Sequence, residues 1–140
     1  YIPSNLTGQS SSPSATIYEQ HNLGAVTKTE TVHTTSLDQY CEKHQIKPDV
    51  LKIDVEGNEL KVFKGAIQIL QKFKPKIIVE IEAIHVGKEQ VLETFSFLNQ
   101  LGYQGKIIHG TIHIPIAEFS FEKYQNVDDK KSYCNNFIFE

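Results

Sequence analysis

The chain has 140 residues, of which 39% are hydrophobic and 22% charged; this composition suits one folded domain and excludes a disordered tail or a fibrous repeat. Lys and Arg number 14 against 17 Asp and Glu, a net charge of -3, which lacks the basic excess of nucleic-acid-binding proteins. No apolar run approaches the roughly 18 residues of a membrane helix, so we expect no contact with nucleic acid or membrane.

Two cysteines, Cys41 and Cys134, lie far apart and form neither a CxxC pair nor a zinc-binding spacing. We interpret them as reduced, buried thiols of a cytoplasmic protein. The sequence starts at Tyr1 and contains no Met, so we expect a piece of a longer protein.

The amino-terminal part differs in composition from the rest. Residues 1–28 are rich in Ser, Pro and Gly and predict a polar, loop-rich lead-in with one short strand near Thr16–Tyr18. Residues 29–140 predict the folded core, which opens with a strand at Thr29–His33 because polar and β-branched residues predominate there.

A helix is predicted to begin after Ser36. Ser36 is a good N-cap, Gln39 follows three residues later as in a capping box, and Asp38 places a negative charge in the first turn. We interpret Asp38 first as a helix-start residue and only second as a site residue.

The next segment has the most regular pattern. Val50–Val55 predicts a strand, and Gly57 and Asn58 turn the chain into one long helix that Pro75 ends. The apolar stripe of that helix is Leu60, Val62, Phe63, Ala66, Ile67, Ile69, Leu70 and Phe73.

Further elements continue the alternation of strands and helices. A strand at Lys76–Glu82 precedes a helix at about Gly87–Leu101, which Gly102 is placed to cap. The strands predicted after it are Tyr103–Ile108, Ile112–Ile116 and Asn136–Glu140. Strands that alternate with helices are typical of βαβ units, so the fold class is α/β with a mostly parallel sheet.

Acidic side chains follow two of these strands. Asp54 and Glu56 come after the first strand, and Glu80, Glu82 and His85 lie at the end of the second. Ligands bind beyond the carboxyl ends of strands in open parallel sheets, so we expect these residues in one crevice. Crowded carboxylates favour a general base or a divalent-metal site, with the metal the less favoured choice.

A structural role for the same carboxylates remains open. Lys52 shares a strand face with Asp54, so it can neutralise Asp54 or Glu80 while the other acids are simply solvated. The residue pattern alone leaves both interpretations standing.

Several ordered motifs resemble one protein family. Leu51–Leu60, with the sequence LKIDVEGNEL, and the following VFKGA are similar to the signature of FkbM-type, S-adenosylmethionine-dependent methyltransferases. Thr35–Tyr40, Ile77–Ile81 and Asn136–Phe139 resemble three further family motifs, and Tyr1–Asn5 resembles a loop after the third core strand. The resemblance therefore extends over nearly the whole chain.

The resemblance implies a fold and a cofactor. Residues 1–140 would form a single, partial methyltransferase domain, the second half of a Rossmann-like class I sheet with mostly parallel strands and an antiparallel end. The family holds S-adenosylmethionine mainly in the first half, whose Gly-rich loop and acidic strand end do not occur in this sequence. The strand at Val50–Val55 would then lie at an open edge, which favours self-association or pairing with the other half.

The resemblance also implies roles. The whole enzyme would methylate a hydroxyl of a sugar or natural product, with Asp54 and Glu56 as catalytic residues and Glu80, Glu82 and His85 as substrate-binding residues. By itself, the 140-residue piece would be inactive. The alternatives are an inactive interaction module built on half of the fold and a response-regulator receiver domain. The second alternative is considered because Pro48–Asp54 resembles the strand that carries the phosphoacceptor aspartate of receiver domains.

Overall fold

The computed structural model describes residues 31–140 and, before them, only the strands β1 (Ile2–Pro3) and β2 (Thr27–Lys28). These two strands pair antiparallel. The strand predicted at Thr16–Tyr18 lies outside the described residues. The strand predicted at Thr29–His33 is wrong for residues 31–33, which have no regular structure.

The chain divides into two compact units, Tyr1–Thr34 and Thr35–Glu140. The second unit contains a five-stranded sheet in the order β3-β4-β7-β5-β6. Its strands are β3 (Val50–Ile53), β4 (Lys76–Glu80), β5 (Gly105–His109), β6 (Ile112–Pro115) and β7 (Asn136–Phe139). Helices pack with this sheet, which confirms the α/β class.

The predicted mostly parallel sheet needs correction. Strands β3 and β4 pair in parallel, whereas β4–β7, β7–β5 and β5–β6 are antiparallel. Three strands still point the same way, but β7 inserts between β4 and β5 instead of lying at the end of the sheet. The apolar pattern of β7 predicts a strand and carries no information about which neighbours it joins.

The helices are α1 (Leu37–His44), α2 (Glu59–Lys64), α3 (Ile67–Phe73), α4 (Ala83–Gln100) and α5 (Phe121–Tyr124), with a 3₁₀ turn at Ile116–Glu118. The Ser36 hydroxyl accepts a hydrogen bond from the Gln39 N–H, which confirms the predicted cap of α1. None of the described helices is both long and apolar enough to cross a membrane.

The long helix predicted from Gly57 is broken at Gly65 into α2 and α3. The Gly65 carbonyl accepts a hydrogen bond from the Asp38 N–H, and a Cβ on Gly65 would lie 3.3 Å from the Ser36 Cβ. The Asp38 carboxylate in turn accepts hydrogen bonds from the N–H groups of Gln68 and Ile69 at 3.1 and 3.0 Å. Helix α1 thus caps the start of α3, so the role of Asp38 is structural.

The fourth helix starts earlier than predicted and contains an irregularity. It begins at Ala83, but Gly87 has a φ of 79° and divides it by a kink, so the part after Gly87 begins where the helix was predicted. The predicted end is confirmed: Gly102 has a φ of 85°, and its N–H bonds to the Asn99 carbonyl at 2.8 Å.

Buried apolar side chains on one face of the sheet form a single core with side chains of the helices. Cys41 and Cys134 are both buried and free, which confirms that they are buried thiols without a disulfide bond. The largest fully buried side chains are Phe63, Leu70, Ile77, Ile81, Leu98, Ile107, Tyr124, Phe137 and Phe139.

Candidate active site

The ends of β3 and β4 bring four acidic residues together. The parallel register pairs Ile53 with Val79, so Asp54 follows β3 beside Glu80 at the end of β4. Burial raises the pKa of the Glu80 carboxyl above its ordinary value, and the negative charges of Asp54 and Glu82 raise it further. Lys52 opposes this effect, and Glu56 adds to it. The expected clustering of the carboxylates is therefore present.

The turn after β3 places Glu56 by means of an unusual backbone. Glu56 has a φ of 50° and Gly57 a φ of 96°. The Gly57 N–H donates to the carboxylate of Glu59 at 2.9 Å, and Glu59 is only 3% exposed. A Cβ on Gly57 would lie 3.0 Å from Val86 Cγ1, so this position needs glycine both for its conformation and for the close approach of α4.

His85 joins the two acidic strand ends. Its Nε2 atom lies 2.9 Å from Glu82 Oε2 and 3.3 Å from Glu56 Oε2. Glu56 follows β3 and Glu82 follows β4, so one imidazole ring connects the two strand ends. The sequence predicted that these residues share a crevice but did not predict this contact.

Sequence reasoning missed two residues of this site, Tyr133 and Asn135. The Tyr133 hydroxyl donates to Glu82 Oε1 at 2.9 Å, and the Asn135 amide donates to Glu80 Oε1 at 2.7 Å and to Glu82 Oε1 at 2.9 Å. Burial raises the pKa of Tyr133 to about 12, with a further contribution from the hydrogen bond to Glu82. The one sequence signal is that polar residues directly precede the strand β7, which pairs with β4.

The Asp54 carboxylate has a weaker partner. Lys52 Nζ lies 3.8 Å from Asp54 Oδ2, and both side chains are half exposed. The pairing that we expected as a structural alternative is therefore present for Asp54. An exposed pair of this kind contributes little stability and leaves the Asp54 carboxylate accessible to a ligand.

Among residues 31–140, no group of three or more His, Cys, Asp or Glu side chains is arranged to hold a metal ion. The acidic side chains at this edge are bound instead by Lys52, His85, Tyr133 and Asn135.

A cavity of about 270 Å³ lies between α1 and α3 and contains none of the predicted site residues. Asp38 and Cys41 line one side of it, and Ile69 and Phe73 line the other. Asp38 is the one acidic residue of this cavity that belongs to the family-like motifs. Its carboxylate is already engaged by the N–H groups at the start of α3. We therefore place the candidate active site at the ends of β3 and β4, where the polar side chains converge.

Two comparisons with known proteins found similar sequences. The sequence model of the methyltransferase FkbM domain matches residues 1–104, a range that contains both acidic strand ends. The hexuronic acid methyltransferase AglP of Haloferax volcanii is 46% identical over 54 residues, which cover 38% of this chain and 22% of that protein. This chain thus spans only about a fifth of the relative it matches, and no solved structure matches it significantly.

Proposed function

Since the chain belongs to the FkbM methyltransferase family, we propose that the whole protein transfers a methyl group from S-adenosylmethionine to a hydroxyl oxygen of a sugar or natural product. The observation that carries this proposal is the family match across the acidic ends of β3 and β4. The similarity to a hexuronic acid methyltransferase supports a glycan or small-molecule acceptor.

The proposed fold is the second half of a Rossmann-like class I methyltransferase sheet. This assignment is supported by the directions of the strands. Strands β3, β4 and β5 point the same way, and β7 lies antiparallel between β4 and β5. We place the main contacts to S-adenosylmethionine outside this chain, since its 140 residues contain no Gly-rich strand–loop motif. The acidic edge suits a cofactor that supplies its methyl group from a positively charged sulfonium.

Methyl transfer is an in-line displacement that needs an aligned acceptor oxygen and a group that removes the hydroxyl proton. We assign Asp54 and Glu56 to the acceptor side as catalytic residues that align the acceptor hydroxyl, because both carboxylates are partly exposed at the strand end. Glu80, Glu82 and His85 form the adjoining wall of the proposed acceptor site. No step in this arrangement requires a metal ion.

The two alternative functions lack comparable support. A receiver domain has a parallel sheet, whereas β7 runs antiparallel between two central strands here. Neither the fold nor the comparisons favour an inactive interaction module.

The test is transfer of an isotope-labelled methyl group by the full-length protein. Methyl glucoside and methyl glucuronide serve as probes, one uncharged and one carrying the carboxylate that the relative's name indicates. We expect label in the sugar, and we expect Asp54→Asn to lower kcat about 10²-fold because a positioned catalytic carboxylate is lost.

Asp49→Asn is the matched control, because Asp49 is exposed at the opposite end of β3. Its kcat should equal that of the wild type. Absence of S-adenosylmethionine binding together with absence of label in both sugars would contradict the proposed function. Equal activity of the Asp54→Asn and Asp49→Asn variants would contradict the catalytic role of Asp54 but not the proposed methyl transfer.

A further inference from the structure

Both carboxylate oxygens of Glu82 are engaged by neighbouring side chains. Oε1 accepts hydrogen bonds from the Tyr133 hydroxyl and the Asn135 amide, each at 2.9 Å. Oε2 lies 2.9 Å from His85 Nε2. The Glu82 side chain is only 15% exposed, so it is held in place and has little capacity left for an acceptor hydroxyl. This environment is that of a carboxylate that positions another group.

The group it positions is the imidazole ring of His85. Nε2 faces two carboxylate oxygens, those of Glu82 and Glu56, and carboxylates accept hydrogen bonds. In a neutral imidazole one nitrogen carries the proton and the other carries the lone pair. A proton on Nε2 therefore leaves the lone pair on Nδ1, which has no hydrogen-bond partner among the described residues.

The ring is also accessible. The His85 side chain is 38% exposed at the carboxyl edge of the sheet, next to the partly exposed Glu56. A histidine with a carboxylate on one nitrogen and a free lone pair on the other is the arrangement that general bases use in hydrolases.

We propose that His85 is the catalytic base of the methyl transfer and that Glu82 is its positioning residue, an inference that rests on the proposed function. As the acceptor oxygen forms its bond to the methyl carbon, Nδ1 of His85 takes the hydroxyl proton. The carbon–sulfur bond breaks, and its electron pair stays on the sulfur, which becomes neutral. Glu82 and Glu56 stabilise the positive charge that the ring acquires.

Tyr133 and Asn135 complete this device from the segment before β7. They fix Glu82 Oε1, so that Oε2 remains directed at the histidine. Both residues lie beyond the range 1–104 that the family model matches. The proposal therefore assigns a role to a part of the chain that the family match leaves out.

The test compares variants of the full-length protein with labelled S-adenosylmethionine and the two sugar probes. His85→Gln keeps an amide that can donate to Glu82 but has no basic nitrogen. We expect its kcat to fall about 10²- to 10⁴-fold, the usual contribution of a general base, with unchanged binding of S-adenosylmethionine by calorimetry. Glu82→Gln should lower kcat about tenfold, with the KM for the sugar unchanged. His113→Gln, on the exposed strand β6, is the matched control and should behave as wild type.

A second measurement does not depend on turnover. Long-range proton–nitrogen NMR correlations of the neutral ring should show His85 protonated on Nε2, with a bonded proton signal that disappears in Glu82→Gln. A ring protonated on Nδ1, or a kcat of His85→Gln within threefold of wild type, would overturn this inference and leave the proposed function intact. A wild-type protein that neither binds S-adenosylmethionine nor transfers label would overturn the proposed function and this inference with it.

Discussion

Carboxylates lie at both ends of the five-stranded sheet, and their surroundings differ in charge. At the end where β7 finishes, Glu140 pairs with Lys76 at 3.0 Å and also with Lys106. These ion pairs lower the pKa of Glu140 to about 2. At the opposite end, Glu80 lies among other acids, and burial together with their charges raises its pKa.

We interpret the Glu140 end as arranged for stability and the Glu80 end as the proposed ligand site. Two lysines balance one carboxylate at the Glu140 end, a pairing that favours the folded state. At the Glu80 end, four carboxylates gather around Lys52 and His85, and polar side chains share the remaining hydrogen bonds. Such an unbalanced cluster costs stability and is typical of functional sites.

The largest effect on stability is expected at Gly57, in the turn that positions Glu56 at the acidic end of the sheet. Gly57→Ala should lower the free energy of unfolding by about 2 kcal/mol, because it strains a positive φ and drives a Cβ against Val86. Urea denaturation measures the change. Gly110→Ala is the control, since Gly110 also has a positive φ but an added Cβ there meets nothing within 4 Å. Equal losses in the two variants would show that contact with Val86 is unimportant.

A substitution at Glu80 should have a smaller effect of opposite sign. The folded-state pKa of Glu80 lies above its ordinary value of 4.5, so the folded state binds the carboxyl proton more tightly than the unfolded state does. The stability of the fold therefore falls as the pH rises from 4.5 through the folded-state pKa. Glu80→Gln removes the charge while its amide oxygen can still accept from Asn135. We expect it to stabilise the fold at pH 7 by under about 1 kcal/mol, the scale of partly exposed charge interactions.

This gain should vanish below pH 4.5, where the Glu80 carboxyl is protonated in both states. Denaturation midpoints at pH 7 and pH 4 measure the change. A Glu80→Gln variant that is less stable than wild type at pH 7 would contradict the interpretation of this end as electrostatically strained.

The smallest effect is expected at Glu140. Its folded-state pKa of about 2 lies below 4.5, so its contribution is fully present above pH 4.5 and is lost as the pH falls towards 2. Glu140→Gln should therefore slightly lower the denaturation midpoint at pH 7, and added salt should shrink the difference because the group is exposed. A higher denaturation midpoint of Glu140→Gln at pH 7 would contradict the interpretation that the ion pairs of Glu140 stabilise this end of the sheet.

Local features of the fold were predictable where neighbouring residues determine them. The cap at Ser36, the strands after Pro48 and Pro75, and the Gly102 helix end all depend on contacts within a few residues. The break at Gly65 was not predictable, because it depends on the packing of α1 against this position. As a result Ile67, which the uninterrupted stripe would bury, is exposed, while Ile69 is buried.

The site followed a similar division. The sequence allowed five residues to be placed together, because two consecutive strands joined by a helix lie side by side and their ends can be recognised: Asp54, Glu56, Glu80, Glu82 and His85. Their assigned functions remain predictions. Tyr133 and Asn135 could not be found this way, since they reach Glu82 from 51 and 53 residues further along the chain.

The central position of β7 has a consequence for how the protein is made. Strands β4 and β5 both need β7 as a neighbour, yet β7 is synthesised after the other four strands of this sheet. On the ribosome, β4 and β5 therefore emerge with unpaired backbone edges and exposed Ile and Val side chains, the kind of surface that aggregates or recruits chaperones. The same late segment brings Tyr133 and Asn135, so the central strand and the two donors to Glu82 Oε1 are synthesised together.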